Sequence, residues 1–397
     1  NLTLSGKRHS SMLPSYSTSV SLPATSRSPC SFNKFFVSNV FIPQKLRYNL
    51  RIKSGQTSTS ISQPKKVLVP VAYGTEEMEV VVIVDVLRRA GAEVLMASVE
   101  PHLEIEAAGG IHLIAETSIS ECIDDEFDLI VLPGGMPGAS RLRDSGILRE
   151  ITSKHVEEKR LHGAIGAAPA VTLLPWDLLK RKYVTGHPAF IDKLPTFWAV
   201  KSDVHVSREL TTSRGPGTSF EFAIRLSEQL LGESVANDLR SYYFKDEEQR
   251  HRKGAQWDVK NQPRVLIPIG NGTGSVETVA ITDVLRRAGV EVVISSVTGS
   301  QLICDCQGLK IVADNCITEA ANSTYDVILL MCPPQCELLE KMVREQKRCG
   351  RVCLRFGNTG GIGRVVGFAL EVVERFFGEK RAASVAQGLA YRMAFMS

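Results

Sequence analysis

The stretch His162-Gly163-Ala164-Ile165-Gly166-Ala167-Ala168-Pro169-Ala170 has the form of a reactive turn without a reactive group. Small and apolar residues run into Gly166. Ala-Ala-Pro then opens an apolar-periodic segment (Val171, Leu173, Leu174, Leu178, Leu179), a pattern that predicts strand, sharp turn and helix. A side chain at the apex of such an elbow stands above a helix N-terminus, where an anion is favoured and a thiol is acidified. Here the apex is glycine, and neither Thr172 nor any serine substitutes for it. Without a nucleophilic side chain there is no covalent catalysis at this position.

Other residues could take part in chemistry beside it. Glu79 lies in Gly74-Thr75-Glu76-Glu77-Met78-Glu79, Gly134 and Gly135 follow an apolar run, and His187 precedes Pro188. Each also has a structural reading: Glu79 as a carboxylate on a helix dipole, the glycines as a tight turn, His187 as a hydrogen-bonded cleft residue.

The elements needed to position these groups follow from the pattern. Lys66 to Ala72, Glu93 to Val99, Ile111 to Ile114 and Phe127 to Leu132 are expected strands; a helix capped by Thr75 runs to Arg89 and stops at Gly91, and a polar helix covers about 145 to 159. Tyr183 to Pro188 is expected as a strand ending in His187, and Leu210 to Ser213 as a strand leading through a Gly-Pro-Gly turn into a helix that ends at Gly232. Such alternation argues for a doubly wound α/β sheet, whose ligands sit at the carboxyl ends of the strands. Glu79, Gly134, Gly135 and Gly166 fall at such ends and are expected to share one crevice.

The chain then repeats itself. Val67-Leu68-Val69-Pro70 recurs as Val265-Leu266-Ile267-Pro268, and Asp85 to Gly91 as Asp283 to Gly289, both offset by 198 residues. A period that long is a domain duplication. The second copy carries Glu277 where the first has Glu79, but its last glycine, Gly378, matches Gly232 with an offset of only 146, so 52 residues are missing. The gap removes the elbow helix and the His-Pro strand. Aligning Lys347-Arg348 with Lys159-Arg160 places Cys353 opposite Ile165, one residue before the apex. The expected organisation is a leader over 1–64, a first domain over 65–246, a charged linker over 247–262 and an incomplete second domain over 263–397.

Composition bounds the function. Residues 1–64 hold eight Lys or Arg and no acid; without them 39 basic residues face 43 acidic ones. The body is mildly acidic and offers no electrostatic reason to bind nucleic acid. The leader, rich in Ser and Thr, has the composition of a plastid transit peptide. No apolar run reaches the roughly 18 residues of a membrane span. Of nine cysteines only Cys122 lies in the first domain, while Cys304, Cys306, Cys316, Cys332, Cys336, Cys349 and Cys353 crowd the second. None forms a CxxC pair, and no histidine follows His251, so free thiols are expected rather than a zinc site or a disulfide framework.

Gly74 to Glu79, Asp85 to Gly91, Leu132-Pro133-Gly134-Gly135, Gly163 to Pro169, His187-Pro188 and Ser213-Arg214-Gly215-Pro216-Gly217-Thr218 together resemble the DJ-1/PfpI superfamily over essentially all of 65–246 and the flanks of 263–397. Within it the chain is most similar to the tandem plant members and their plastid-targeted homolog C branch. The resemblance implies two flavodoxin-like (class I glutamine amidotransferase-like) sheets, the second truncated, docked as an intrachain pseudo-dimer, with further homo-oligomers open. Catalytic members of the superfamily are cofactor-independent glyoxalases or deglycases whose elbow cysteine adds to an α-oxoaldehyde. A glutamate matching Glu79 hydrogen-bonds the sulfur, a histidine matching His187 lies nearby, and amides matching Gly134 and Gly135 help hold oxygen. With Gly166 at the apex, the resemblance implies a cofactor-free, non-catalytic plastid protein serving chloroplast development, chaperone-like or as a scaffold for other plastid proteins. The alternatives are weak glyoxalase activity through Cys353 or through a water held by Glu79 and His187, and a thiol redox module on the second domain.

Overall fold

The computed structural model describes residues 63–195, 197–244, 256–257, 262–331, 336–356 and 364–391. The leader 1–62 and most of the linker lie outside the described residues, as does Cys332. The first lobe contains β1 (Lys66–Val71), α1 (Glu77–Arg89), β2 (Glu93–Ser98), β3 (Glu104–Glu106), β4 (His112–Ile114), β5 (Thr117–Ser118) and β6 (Leu129–Leu132). It continues through α2 (Gly138–Asp144), α3 (Gly146–Glu157), β7 (Leu161–Ile165), β8 (Val204–Ser207), β9 (Leu210–Ser213), α4 (Ser219–Leu231) and α5 (Glu233–Tyr243). The second lobe contains β10 (Arg264–Ile269), α6 (Ser275–Arg287), β11 (Glu291–Ser296), β12 (Leu302–Cys304), β13 (Lys310–Val312), β14 (Asn315–Cys316) and α7 (Ile317–Ala320). It ends with β15 (Val327–Leu330), α8 (Glu337–Arg348), β16 (Val352–Arg355), α9 (Val365–Phe377) and α10 (Glu379–Gly388).

The main sheets have the orders β5-β2-β1-β6-β7-β9-β8 and β14-β11-β10-β15-β16, parallel except for β8 against β9. Both are flavodoxin-like, and their registers match across the duplication: Val67 pairs with Val94 and Leu129, Val265 with Val292 and Val327. Among the described residues the second sheet ends at β16, with no counterparts of β8 and β9, which is where the sequence gap falls.

Helix α1 carries the β-branched run Val80-Val81-Val82-Ile83-Val84, a poor helix sequence taken alone. It is helical because every side of it is occupied, with the β1–β2 sheet behind, α4 beside it and α6 of the second lobe across the seam. All five side chains are fully buried, and burying each one stabilises by about 1.5–3 kcal/mol, well above a propensity penalty of about 0.5 kcal/mol apiece. One apolar cluster therefore runs through both lobes, from Val67 and Leu87 to Ile281 and Val373. The hairpins of the two lobes extend the union, since β13 pairs antiparallel with β4 in a sheet of order β12-β13-β4-β3. Reciprocal arginines close it: Arg88 donates to the Gln307 carbonyl and Arg286 to that of Gly109, each at 2.9 Å. These contacts make the two regions an intrachain pseudo-dimer.

Several local expectations need correction. Thr75 does not cap α1; its hydroxyl accepts from the Ala72 amide at 2.9 Å and closes the strand-to-helix turn, as Thr273 does from Gly270 in the second lobe at 3.0 Å. The segment after the elbow is a five-residue wide helical turn, Pro169–Leu173, followed by turns rather than a full helix. Tyr183 to Pro188 is not a strand but a loop, tied by a single bridge between Val184 and Ala199. Helix α2, preceded by Pro137, was not anticipated. Where described, the linker is anchored: Trp257 donates its amide to Arg375 at 2.8 Å and sets its ring against Phe376.

The seam also holds a charged contact. Arg287 of α6 donates to both carboxylate oxygens of Glu76 at 2.8 Å and to both of Asp283 at 2.8 and 2.9 Å. Removing the guanidinium strands two carboxylates that are each at least nine-tenths buried. Arg287→Ala is therefore expected to lower stability in urea by about 3 kcal/mol. Arg89→Ala at the matching position should cost less, because Asp85 keeps a hydrogen bond from the Tyr243 hydroxyl at 2.5 Å. Equal losses would contradict this assignment.

Candidate functional site

Strand β7 delivers the chain to Gly166 at φ +62°, a left-handed conformation that costs a side-chain-bearing residue about 1–3 kcal/mol. The glycine is held on both sides, its amide donating to the Ser213 carbonyl at 3.1 Å and its carbonyl accepting from the His187 amide at 2.8 Å. The elbow is thus built as the sequence implied, although its helix is short. Thr172 is no substitute nucleophile: its buried hydroxyl donates to the Ala139 carbonyl at 2.8 Å.

Glu79 occupies the space a nucleophile would use. A Cβ placed on Gly166 would stand 2.5 Å from Glu79 Oε1 and 3.2 Å from its carboxyl carbon. The other oxygen, Oε2, accepts the Gly134 amide at 2.6 Å. Burial, followed by the neighbouring Glu76, holds the Glu79 carboxyl well above the usual carboxylate range, and the Gly134 hydrogen bond only partly opposes this. The group is best described as a buried carboxylic acid pinned by one amide.

The two glycines have steric roles. A Cβ on Gly134 would meet the Ala167 amide nitrogen at 2.7 Å and Glu79 Oε2 at 3.0 Å, and Gly135, at φ +86°, lies against the backbone of Gly74 and Glu76. The Gly134 amide is taken by Glu79, so it is not an open oxygen-binding donor.

His187 is half-buried and lies at the boundary with the second lobe. Its Nδ1 accepts from the Ala189 amide at 3.2 Å, and its Nε2 lies 3.2 Å from the Gly388 carbonyl, which assigns a neutral ring with the proton on Nε2. Both nitrogens are engaged, which leaves no free base. The end of α10 packs closely here: the Gly217 amide donates to the Leu389 carbonyl at 2.7 Å, and a Cβ on Gly217 would stand 2.5 Å from the Tyr391 Cα. This contribution from the second lobe was not legible in the sequence.

The second-lobe candidates do not assemble a counterpart. Pairing of Ile328 with Cys353 matches pairing of Ile130 with His162, so Cys353 occupies the position of His162, not that of Ile165. Its sulfur lies 4.0 Å from the Val343 carbonyl, and burial pushes the thiol up from its ordinary value. Glu277 folds over its own helix start against Gly274, and burial, then Asp85, raises its pKa. Cys122, Cys304, Cys306, Cys316, Cys336, Cys349 and Cys353 are all free thiols. A surface cavity of about 840 Å³, lined by Tyr73, Glu100, Leu103, Glu106, His112 and Arg141 among others, shares no residue with the elbow.

The crowding at Gly166 can be measured. Gly166→Ala should lose about 1–3 kcal/mol for the backbone alone, plus a clash with Glu79. In a double-mutant cycle Glu79→Ala should relieve part of that loss. Strict additivity would show that Glu79 does not fill the apex.

The DJ-1/PfpI family profile matches residues 65–229 and 263–353. Protein DJ-1 homolog B of Arabidopsis thaliana is 39% identical over 315 residues, 75% of this chain and 72% of the relative. Protein DJ-1 homolog A of the same plant is 36% identical over 73% of this chain and 79% of its own length. A Caenorhabditis elegans protein named glutathione-independent glyoxalase DJR-1.2 is 36% identical over 41% of this chain and 87% of its own length. With two regions matched over more than half of its length and two relatives above 30% identity covered over more than two thirds of their own length, the chain belongs to the DJ-1/PfpI family.

Proposed function

We propose that this chain is a non-catalytic tandem member of its family, acting in the plastid in chloroplast development or integrity as a chaperone-like or scaffold protein. The observation that carries the loss of catalysis is the apex itself: Gly166 offers no nucleophile, and the Glu79 carboxyl fills the space beside it. Loss of a catalytic nucleophile costs on the order of 10⁴–10⁶ in kcat, beyond what positioning alone restores. His187 has both ring nitrogens engaged and cannot readily activate a water in compensation. The plastid assignment rests on the acid-free basic leader, and placement in the homolog C branch on the resemblance of the quoted motifs. Among the described residues no helix is long and apolar enough to cross a membrane.

A second reading, weak glyoxalase activity on methylglyoxal-type oxoaldehydes, is favoured by the likeness to the C. elegans glyoxalase. Lactate formation from methylglyoxal separates the two. The unaltered chain is expected to give no lactate above the buffer rate, and Gly166→Cys to give a measurable rate once Glu79 swings aside. Lactate production by the unaltered chain that disappears in Glu79→Ala or Cys353→Ser would overturn the non-catalytic reading. The plastid assignment has its own test: residues 1–64, behind an initiator methionine and ahead of a fluorescent protein, should enter chloroplasts of leaf cells, and cytosolic or mitochondrial fluorescence would refute it.

A further inference from the structure

The duplication relates the two ends of the α1–α6 seam, but their charges differ. At one end the second lobe has Gly274 and Ser275, and the charges it brings near Asp85 are instead those of Glu277 and Asp305. There Asp85 is fully served, accepting from Arg89 at 2.8 Å and from Tyr243 at 2.5 Å. At the other end the matching positions are Glu76 and Glu77, which meet Asp283 and Arg287. Leu389 occupies the position of Tyr243, so Asp283 gains no hydroxyl. Three buried carboxyl groups thus share one guanidinium, with oxygens from all three within 4.8 Å of one another.

Hydrogen bonding picks out one atom of the cluster. Arg287 takes both oxygens of Glu76 and both of Asp283. Glu77 Oε2 accepts the Gly109 amide at 3.0 Å, whereas Glu77 Oε1, on a residue with no exposed surface, has no partner. That oxygen and Asp283 Oδ1 converge on one point: a Cβ on Gly109 would collide with the first and lie 3.2 Å from the second. An unpaired carboxylate oxygen aimed at a second carboxylate in a buried seam is costly to keep as an anion. A divalent cation would need several open oxygen ligands and would lie against Arg287; a proton needs one.

We propose that Glu77 is a pH-sensitive latch between the lobes: carried as a neutral carboxylic acid protonated on Oε1, it lets α1 dock against Asp283, and its ionisation loosens the seam. The groups facing it are Glu76 and Glu79 from α1, Asp283, Arg286 and Arg287 from α6, and the Gly109 backbone, whose carbonyl Arg286 holds at 2.9 Å. Burial, then Glu76, then Asp283 push Glu77 from its ordinary 4.5 up to about 8, and burial with Glu76 lifts Asp283 to about 7. Because the folded value lies above the unfolded one, the latch contributes fully below about pH 4.5 and is lost as pH rises through about 8.

Thermal unfolding of the full chain from pH 5 to 9 tests the latch against Glu77→Gln, whose amide still accepts from Gly109 and donates toward Asp283 at every pH. The melting temperature of the unaltered chain, relative to the variant, is expected to fall by about 5 °C between pH 5 and pH 8 and then to flatten. Parallel curves would overturn the proposal. Should Glu77→Gln not fold, amide exchange of residues 105–111 in the unaltered chain, corrected for its intrinsic pH dependence, must rise from pH 6 to 9; constant protection would equally overturn it. Manganese or zinc at pH 8 should leave the difference between the two proteins unchanged. A metal-induced rise confined to the unaltered chain would show a cation in place of the proton.

Discussion

Three carboxyl groups are buried at the start of α1, and much of the structure responds to that fact. The helix is enclosed by its own sheet, by α4 and by α6, so Glu76, Glu77 and Glu79 cannot reach solvent, and each must find a partner or keep a proton. Glu76 takes the Arg287 guanidinium from across the seam, Glu77 the Gly109 amide, and Glu79 the Gly134 amide. The last two answers require close backbone approach. Gly109 and Gly134 are glycine because the carboxylates they serve lie where a Cβ would project. The same constraint reaches Gly166, whose missing side chain leaves room for Glu79 Oε1. Docking of the lobes and the state of the elbow are therefore not independent features.

The duplicated lobe shows what happens when the constraint is relaxed. Gly274 and Ser275 replace two of the three acids, and only Glu277 remains, partly exposed and turned over its own helix start. Among the described residues Glu277 makes no ion pair across the seam, and Arg89 is held by Asp85 and by the face of Tyr242 at 4.8 Å. The seam is a heterologous pairing inside one chain: Glu76, Glu77 and Asp283 gather at one end, and Asp85, served by the Tyr243 hydroxyl, lies with Glu277 and Asp305 at the other. Its apolar centre and shared hairpin sheet supply adhesion, while the charged ends set which surface faces which.

Much of this was legible in the sequence. The 198-residue repeat, the strands β1, β2, β6 and β9, the helix stops at Gly91 and Gly232 and the truncated second sheet follow from apolar runs, glycine positions and offsets. The illegible parts depend on distant partners. Thr75 has the chemistry of a cap, but the nearer Ala72 amide claims its hydroxyl. The elbow segment has helical periodicity, yet its chain turns after Leu173 into a loop packed beneath α2, a helix whose seven residues carry no strong pattern. Cys353 was misplaced because charged residues at a helix end were used for alignment, whereas sheet register is fixed by strand pairing and puts it beside Ile328. The carboxylates of α1 were visible as first-turn acids, but no local signal could show that α6 would bury them.

Persistence of Glu79 beside a glycine elbow is therefore weak evidence of residual chemistry. A catalytic acid needs a reacting atom within hydrogen-bond reach and a route for its proton. Here one oxygen is committed to Gly134 and the other points at an apex that bears only hydrogen. Replacing the acid by an apolar residue would orphan a buried amide at Gly134, and replacing the glycine would push the acid out of its niche. Glu79, Gly134 and Gly166 fit one another as packing partners, and that fit alone keeps the crevice in shape.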